Sequence, residues 1–116
     1  MNPQMSPQYL FQGVVPASIL NMYTPANGIN YKAESPVVQV VVHSAIGATV
    51  AIEVQSSIDG GQNWVNQANI SVTSSAGTPN AVVQQRLMNI LGVQWRACAL
   101  TATGDATATV DCCILA

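Results

Sequence analysis

Beyond Pro36 the hydrophobic pattern is β-type throughout, from the nearly all-apolar, β-branched run "VVQVVV" (37–42) to the mixed "ATVAIEVQS" (48–56), whose Val50, Ile52 and Val54 recur at every second position. Val, Ile, Thr and Ala dominate these runs, and turn-forming residues return at short intervals. The pattern predicts strands over 37–42, 48–56, 64–72, 81–88, 93–100 and 107–115. Almost no helix is expected; "NMYTPANG" makes one turn at most. The fold class is therefore all-β: an antiparallel β-sandwich or small barrel of about six strands, covering residues 36–116.

Residues 1–35 read differently. Pro3, Pro7, Pro16 and Pro25 break a stretch of Gln, Asn and isolated aromatics, Tyr9, Phe11, Tyr23 and Tyr31, that follows neither a helical nor a strand period. This predicts an extended N-terminal arm whose four aromatics anchor it to a partner surface in an assembly. The alternative is an arm folded back on its own domain.

Two hairpins can be aligned by side-chain alternation. Pairing 48–56 with 64–72 sets Val50 opposite Ile70, Ile52 opposite Ala68 and Ser56 opposite Trp64, with Glu53 facing Gln67 on the other side. Pairing 93–100 with 107–115 sets Trp95 opposite Cys112, Ala97 opposite Val110 and Val93 opposite Ile114. In that register Arg96 meets Asp111 on the wetter face and Cys98 faces Thr109. Each hairpin gains one apolar face, and both tryptophans point inward.

Charge changes the picture of the surface. The 116 residues include three Lys or Arg and five Asp or Glu, 7% of the chain, where about 25% is usual. A neutral surface repels little and is well suited to being covered by neighbours. With a net charge of -2 and no basic cluster, nucleic acid is excluded as a partner. No run is apolar enough for a membrane helix, and "MNPQMSPQYLFQG" has no basic flank or apolar stretch of a signal peptide, so the chain is expected to be made in the cytoplasm and not secreted.

Catalytic chemistry finds little to work with. Three cysteines, two of them adjacent (Cys112 and Cys113), form neither a disulfide framework nor a zinc pattern and read as core or idle thiols. His43 is the only histidine, at the end of an apolar run, and no Gly-rich loop opens a helix to cradle phosphate. The expectation is a protein that is not an enzyme, with no catalytic residue, cofactor or metal.

One stretch stands out: "QSSIDGGQNW", residues 55–64. Ser57, Asp59, Gly61 and Trp64 match S-x-D-x-G-x-x-W, so this hairpin resembles the Asp-box of sialidases and other β-propeller proteins. Asp and Ser side chains can bond to amides across a tight loop, Gly accepts a positive φ, and Trp closes the hairpin. In that family the box recurs once per blade, away from the catalytic site. Here it occurs once, Asn63 stands where Thr is frequent, and 116 residues cannot build a propeller. What carries over is a tied structural turn; a sugar or calcium contact at Asp59 is the alternative reading.

A broader resemblance covers about residues 36–116. The proline-broken arm, the low-charge β domain, "VAIEVQSSIDGGQNW", "VQWRACAL" and a Thr/Ala/Gly-rich terminal hairpin look like the small β-sandwich virion proteins of tailed bacteriophages, notably capsid decoration (cement) proteins. The resemblance implies a non-enzymatic homo-oligomer, with a trimer favoured, that braces major capsid protein or other virion subunits within the virion. The alternatives are a tail, connector or fibre component, or a sugar- or surface-binding β-sandwich module.

Overall fold

The computed structural model describes residues 7–14, 22–23, 28–105 and 107–116. Among these residues nine strands follow one another: β1 (Gln8–Val14), β2 (Met22–Tyr23), β3 (Ile29–Glu34), β4 (Val37–His43), β5 (Gly47–Ser57), β6 (Val65–Ser75), β7 (Asn80–Arg86), β8 (Leu91–Gly104) and β9 (Thr109–Leu115). One sheet has the order β1-β9-β4-β7; the other runs β2-β8-β5-β6, with β3 also on β8. Every pairing is antiparallel. The chain is an all-β antiparallel sandwich.

Alternation explains the core. Val38, Val40 and Val42 of β4 and Val110, Cys112 and Ile114 of β9 point inward from the first sheet. Val50, Ile52 and Val54 of β5, Ile70 and Val72 of β6, and Trp95, Ala97, Ala99 and Ala102 of β8 meet them from the second. Each fully buried Val or Ile contributes roughly 1.5–3 kcal/mol relative to exposure. The alanines of β8 leave room at its middle, and Trp95 fills the end of the same strand. Gly92 makes way for that ring, since a β-carbon there would lie 2.5 Å from Trp95 Cε2 and Cζ2.

The boundary expected near residue 35 does not separate an arm from the sandwich in the described residues. Residues 8–14 pair with β9 and 29–34 pair with β8. A bulge between Tyr9 and Phe11 lets two consecutive residues, Leu10 and Phe11, both enter the core. That bulge is why no period of two shows in "QYLFQGV". Of the four aromatics expected to grip a partner, Phe11 is core, and Tyr31 is half-buried with its hydroxyl oxygen accepting the Ala116 amide at 2.8 Å. Tyr9 is exposed. Tyr23 is placed opposite Cys98 by its backbone, and its side chain lies outside the described residues. Met22 and Tyr23 form a strand where one helical turn was the most expected.

Both hairpin registers need correction. In β5/β6, Val50 faces Val72, Ile52 faces Ile70, Glu53 faces Asn69, Val54 faces Ala68 and Ser56 faces Val65. The expected register was two residues off over most of the strand, a slip that keeps every side chain on its face and is invisible to alternation. The terminal pair is not a hairpin: β8 lies in the second sheet and β9 in the first. Arg96 faces Gln55 and Cys98 faces Glu53, while Asp111 faces Val41 and Gln12. Trp95 and Cys112 are both buried because the inner faces of the two sheets meet.

Candidate functional site

The "QSSIDGGQNW" segment ends β5 and forms the loop to β6. Ser57 Oγ donates to Asp59 Oδ1 at 2.7 Å and accepts from the Gly61 amide at 3.0 Å and the Asp59 amide at 3.3 Å. Asp59 Oδ1 also accepts from the Asn63 amide at 3.0 Å, and Oδ2 accepts from Asn63 Nδ2 at 2.6 Å. Gly60 and Gly61 supply the left-handed backbone, φ 78° and 85°. Asn63, the departure from the sialidase pattern, thus gives two of the bonds that hold the carboxylate.

These bonds decide what Asp59 can do. The Asn63 side chain first, then the Asn63 amide and Ser57, stabilise its charged form and bring its pKa down to about 2. Such a carboxylate is a poor general acid and base. Ser57, with its proton committed to Asp59, has no base to activate it. The chemistry of the pair is spent on the turn.

Trp64 closes the loop on the outside of the second sheet, not inward as alternation had placed it. Its ring is half-buried and stacks under Arg96, whose guanidinium carbon lies 4.2 Å from the ring centroid. Gly28, at φ 73°, borders it: a β-carbon there would meet Trp64 Cη2 at 2.5 Å and the Trp95 carbonyl oxygen at 2.7 Å. Arg96 in turn donates from Nε to Gln55 Oε1 at 2.6 Å, and Gln55 donates to Glu53.

Beside the loop lies an open depression of about 220 Å³, bordered by Ser56, Asp59, Asn63 and Gln67 and by the apolar Ile58, Val65 and Leu91. Ile58 is 72% exposed, and Met88, in the neighbouring β7–β8 turn, is 62% exposed. Leu115 and Val37 share a register row with Arg86 at this same end. Among the described residues, five of the nine exposed large apolar side chains, Ile58, Val65, Met88, Leu91 and Leu115, therefore lie toward one end of the sandwich, while Ile46 and Val14 lie toward the other and Val82 stands on β7.

Two polar clusters went unseen in the sequence. At the opposite end, Asp105 accepts from Ser44 Oγ (2.7 Å), the Thr107 amide (2.9 Å) and Thr107 Oγ1 (2.7 Å), tying the β4–β5 and β8–β9 loops together and lowering its pKa. On the outer face of the first sheet, His43 Nδ1 lies 2.7 Å from Asn80 Oδ1 and Nε2 lies 3.2 Å from Asp111 Oδ2. The bond to Asn80, with Asp111 behind it, raises the His43 pKa. A histidine fixed between an amide and a carboxylate, with no hydroxyl or thiol nucleophile bonded to it, bridges three strands.

None of the three thiols forms a disulfide. Burial pushes Cys112 up to about 12 and Cys113 upward too, which removes thiolate reactivity. Among the described residues no three His, Cys, Asp or Glu gather as a metal site would need. Comparison of the chain with protein-family models and with curated proteins finds no match in either.

Proposed function

We propose that the chain is a structural virion protein, a capsid decoration or cement subunit that braces major capsid protein or other virion subunits. The observation that carries this reading is the end of the sandwich where Ile58, Val65, Met88, Leu91 and Leu115 stand exposed on a chain with 7% charged residues. Exposed apolar area of this kind is characteristic of contact surfaces. The side chains that could have done chemistry are committed to holding turns and strands. A tail, connector or fibre position in the same particle uses the same surface.

A sugar-binding module remains the competing class. Its supporting feature is the depression with hydroxyl, amide and carboxylate groups at its rim. Weighing against it, the Trp64 ring is already stacked by Arg96 and bordered by Gly28, and a sugar site is ordinarily built on an open aromatic platform. Imaging of the native particle at side-chain resolution tests the proposal. It is supported if copies of this sandwich sit at fixed positions with the Ile58 and Leu91 end against another subunit, and refuted if that end faces solvent.

A further inference from the structure

Among the described residues, the edge strands β1, β3 and β7 each carry a device against pairing with another strand. β1 is broken by the bulge at Leu10, β7 begins directly after Pro79 and ends in Arg86, and β3 presents Lys32 and Glu34 and breaks register between Asn30 and Ala33. β2 is described only at Met22 and Tyr23. The exception is β6: eleven residues, VNQANISVTSS, with no charge and no proline. Among the described residues β5 is the only strand it pairs with; the register breaks once, between Val54/Ala68 and Gln55/Asn66, and is unbroken from there to Gly47/Ser75, the stretch that stays available along its outer edge up to the Ser75–Thr78 bridge.

The backbone of this edge can be oriented. Ser75 exchanges both of its backbone bonds with Thr78 across the turn, at 3.1 and 3.0 Å, so its amide and carbonyl turn away from β5. Backbone groups alternate sides along a strand, which turns those of Thr73, Ser71 and Asn69 the same way. The side chains of these three residues are exposed.

We propose that β6 is the docking edge for β6 of a second copy of this chain, paired antiparallel about Ser71. The strand is complementary to itself in that register. Ser71 meets Ser71, Asn69 meets Thr73, Ile70 meets Val72 and Ala68 meets Ser74, so inward residues meet inward residues and no like charges oppose. The outward amides and carbonyls of Asn69, Ser71 and Thr73 then bond to their counterparts, joining two five-stranded sheets into one. A foreign strand would need the same length, parity and lack of charge, which the chain itself supplies. This pairing does not depend on the virion reading.

The test is light scattering of the purified full chain over a range of concentration, with Ser71→Lys and Ser71→Asp. The unmodified chain is expected to form dimers. Each variant places like charges face to face at the two-fold axis and weakens dimerisation by more than about tenfold, while melting as the parent does because Ser71 is exposed. Mixing the two variants restores the dimer by setting Lys against Asp. A parent chain that is monomeric or trimeric throughout, a variant that dimerises as well as the parent, or a mixture that fails to recover overturns the proposal. A variant that no longer dimerises yet still occupies a particle separates this inference from the proposed function.

Discussion

Arg96 lies with its guanidinium carbon 4.2 Å from the centroid of the Trp64 ring, while its Nε donates to Gln55 at 2.6 Å. One side chain therefore couples the start of β6 to β5 and β8. Replacing it with Ala removes the stacking partner, worth about 0.5–1 kcal/mol at a partly exposed site, and uncovers the indole. Arg96→Ala is expected to lower the denaturation midpoint modestly and to red-shift tryptophan fluorescence, with Trp95 as the unaffected buried reference. An unchanged emission spectrum would show that the ring is held without Arg96.

Asp59 gives the fold an acid-sensitive turn. Its folded pKa of about 2 lies below its ordinary value of 3.8, so its contribution is present above the ordinary value and is lost as pH falls through about 2. Asp59→Ala is expected to lower the melting temperature at neutral pH and to flatten the loss of stability between about pH 4 and pH 2. Some acid sensitivity stays, because the pKa of Asp105 is also lowered by Ser44 and Thr107. Thermal melts across that pH range check both statements.

His43 works in the opposite direction. Its pKa is raised above 6.5, chiefly by Asn80 and then by Asp111, so the stabilisation is complete below 6.5 and is lost as pH rises through the folded value. The effect is small, since the ring is 41% exposed and solvent screens the pair. As His43 is the only histidine, its proton resonances titrate without overlap. Asp111→Asn is expected to move that titration to lower pH.

Phe11 decides whether the N-terminal segment belongs to the domain. It is 1% exposed and sits beside Leu10 in the core, so Phe11→Ala is expected to cost about 3–5 kcal/mol. Deleting residues 1–14 removes β1 and uncovers the β9 edge, and the truncated chain is expected not to fold cooperatively. Denaturant titration of the variant and circular dichroism of the truncation measure these outcomes.

The all-β class and the inward residues of β5 and β9 were legible because alternation reports which face a side chain occupies; in β4, where five of the six residues from 37 to 42 are Val, it does not. Alternation does not report which strand lies opposite. Trp95 and Cys112 satisfied a hairpin on paper, yet they face each other's sheet across the core, and Arg96 and Asp111 lie in different sheets. Asp59 was readable as a turn tie because Ser57, Asp59 and Gly61 are close in sequence. The His43 cluster joins residues 37 and 68 positions apart, a separation over which no local pattern runs. The exposed end escaped notice for the same reason: Ile58, Met88 and Leu115 are brought together only by the strand order.

The proposed binding of the exposed apolar end to a larger shell can be measured on the particle itself. Its most direct measurement is the occupancy of gradient-purified native particles by the unmodified chain and by Ile58→Asp and Leu91→Asp, quantified against the major shell protein. Both positions are exposed, so the variants are expected to fold normally, which their melting curves verify. A fixed stoichiometry is expected for the unmodified chain and a marked loss of occupancy for the two variants. Full occupancy by folded variants, or a chain that never sediments with a particle, would contradict the proposal.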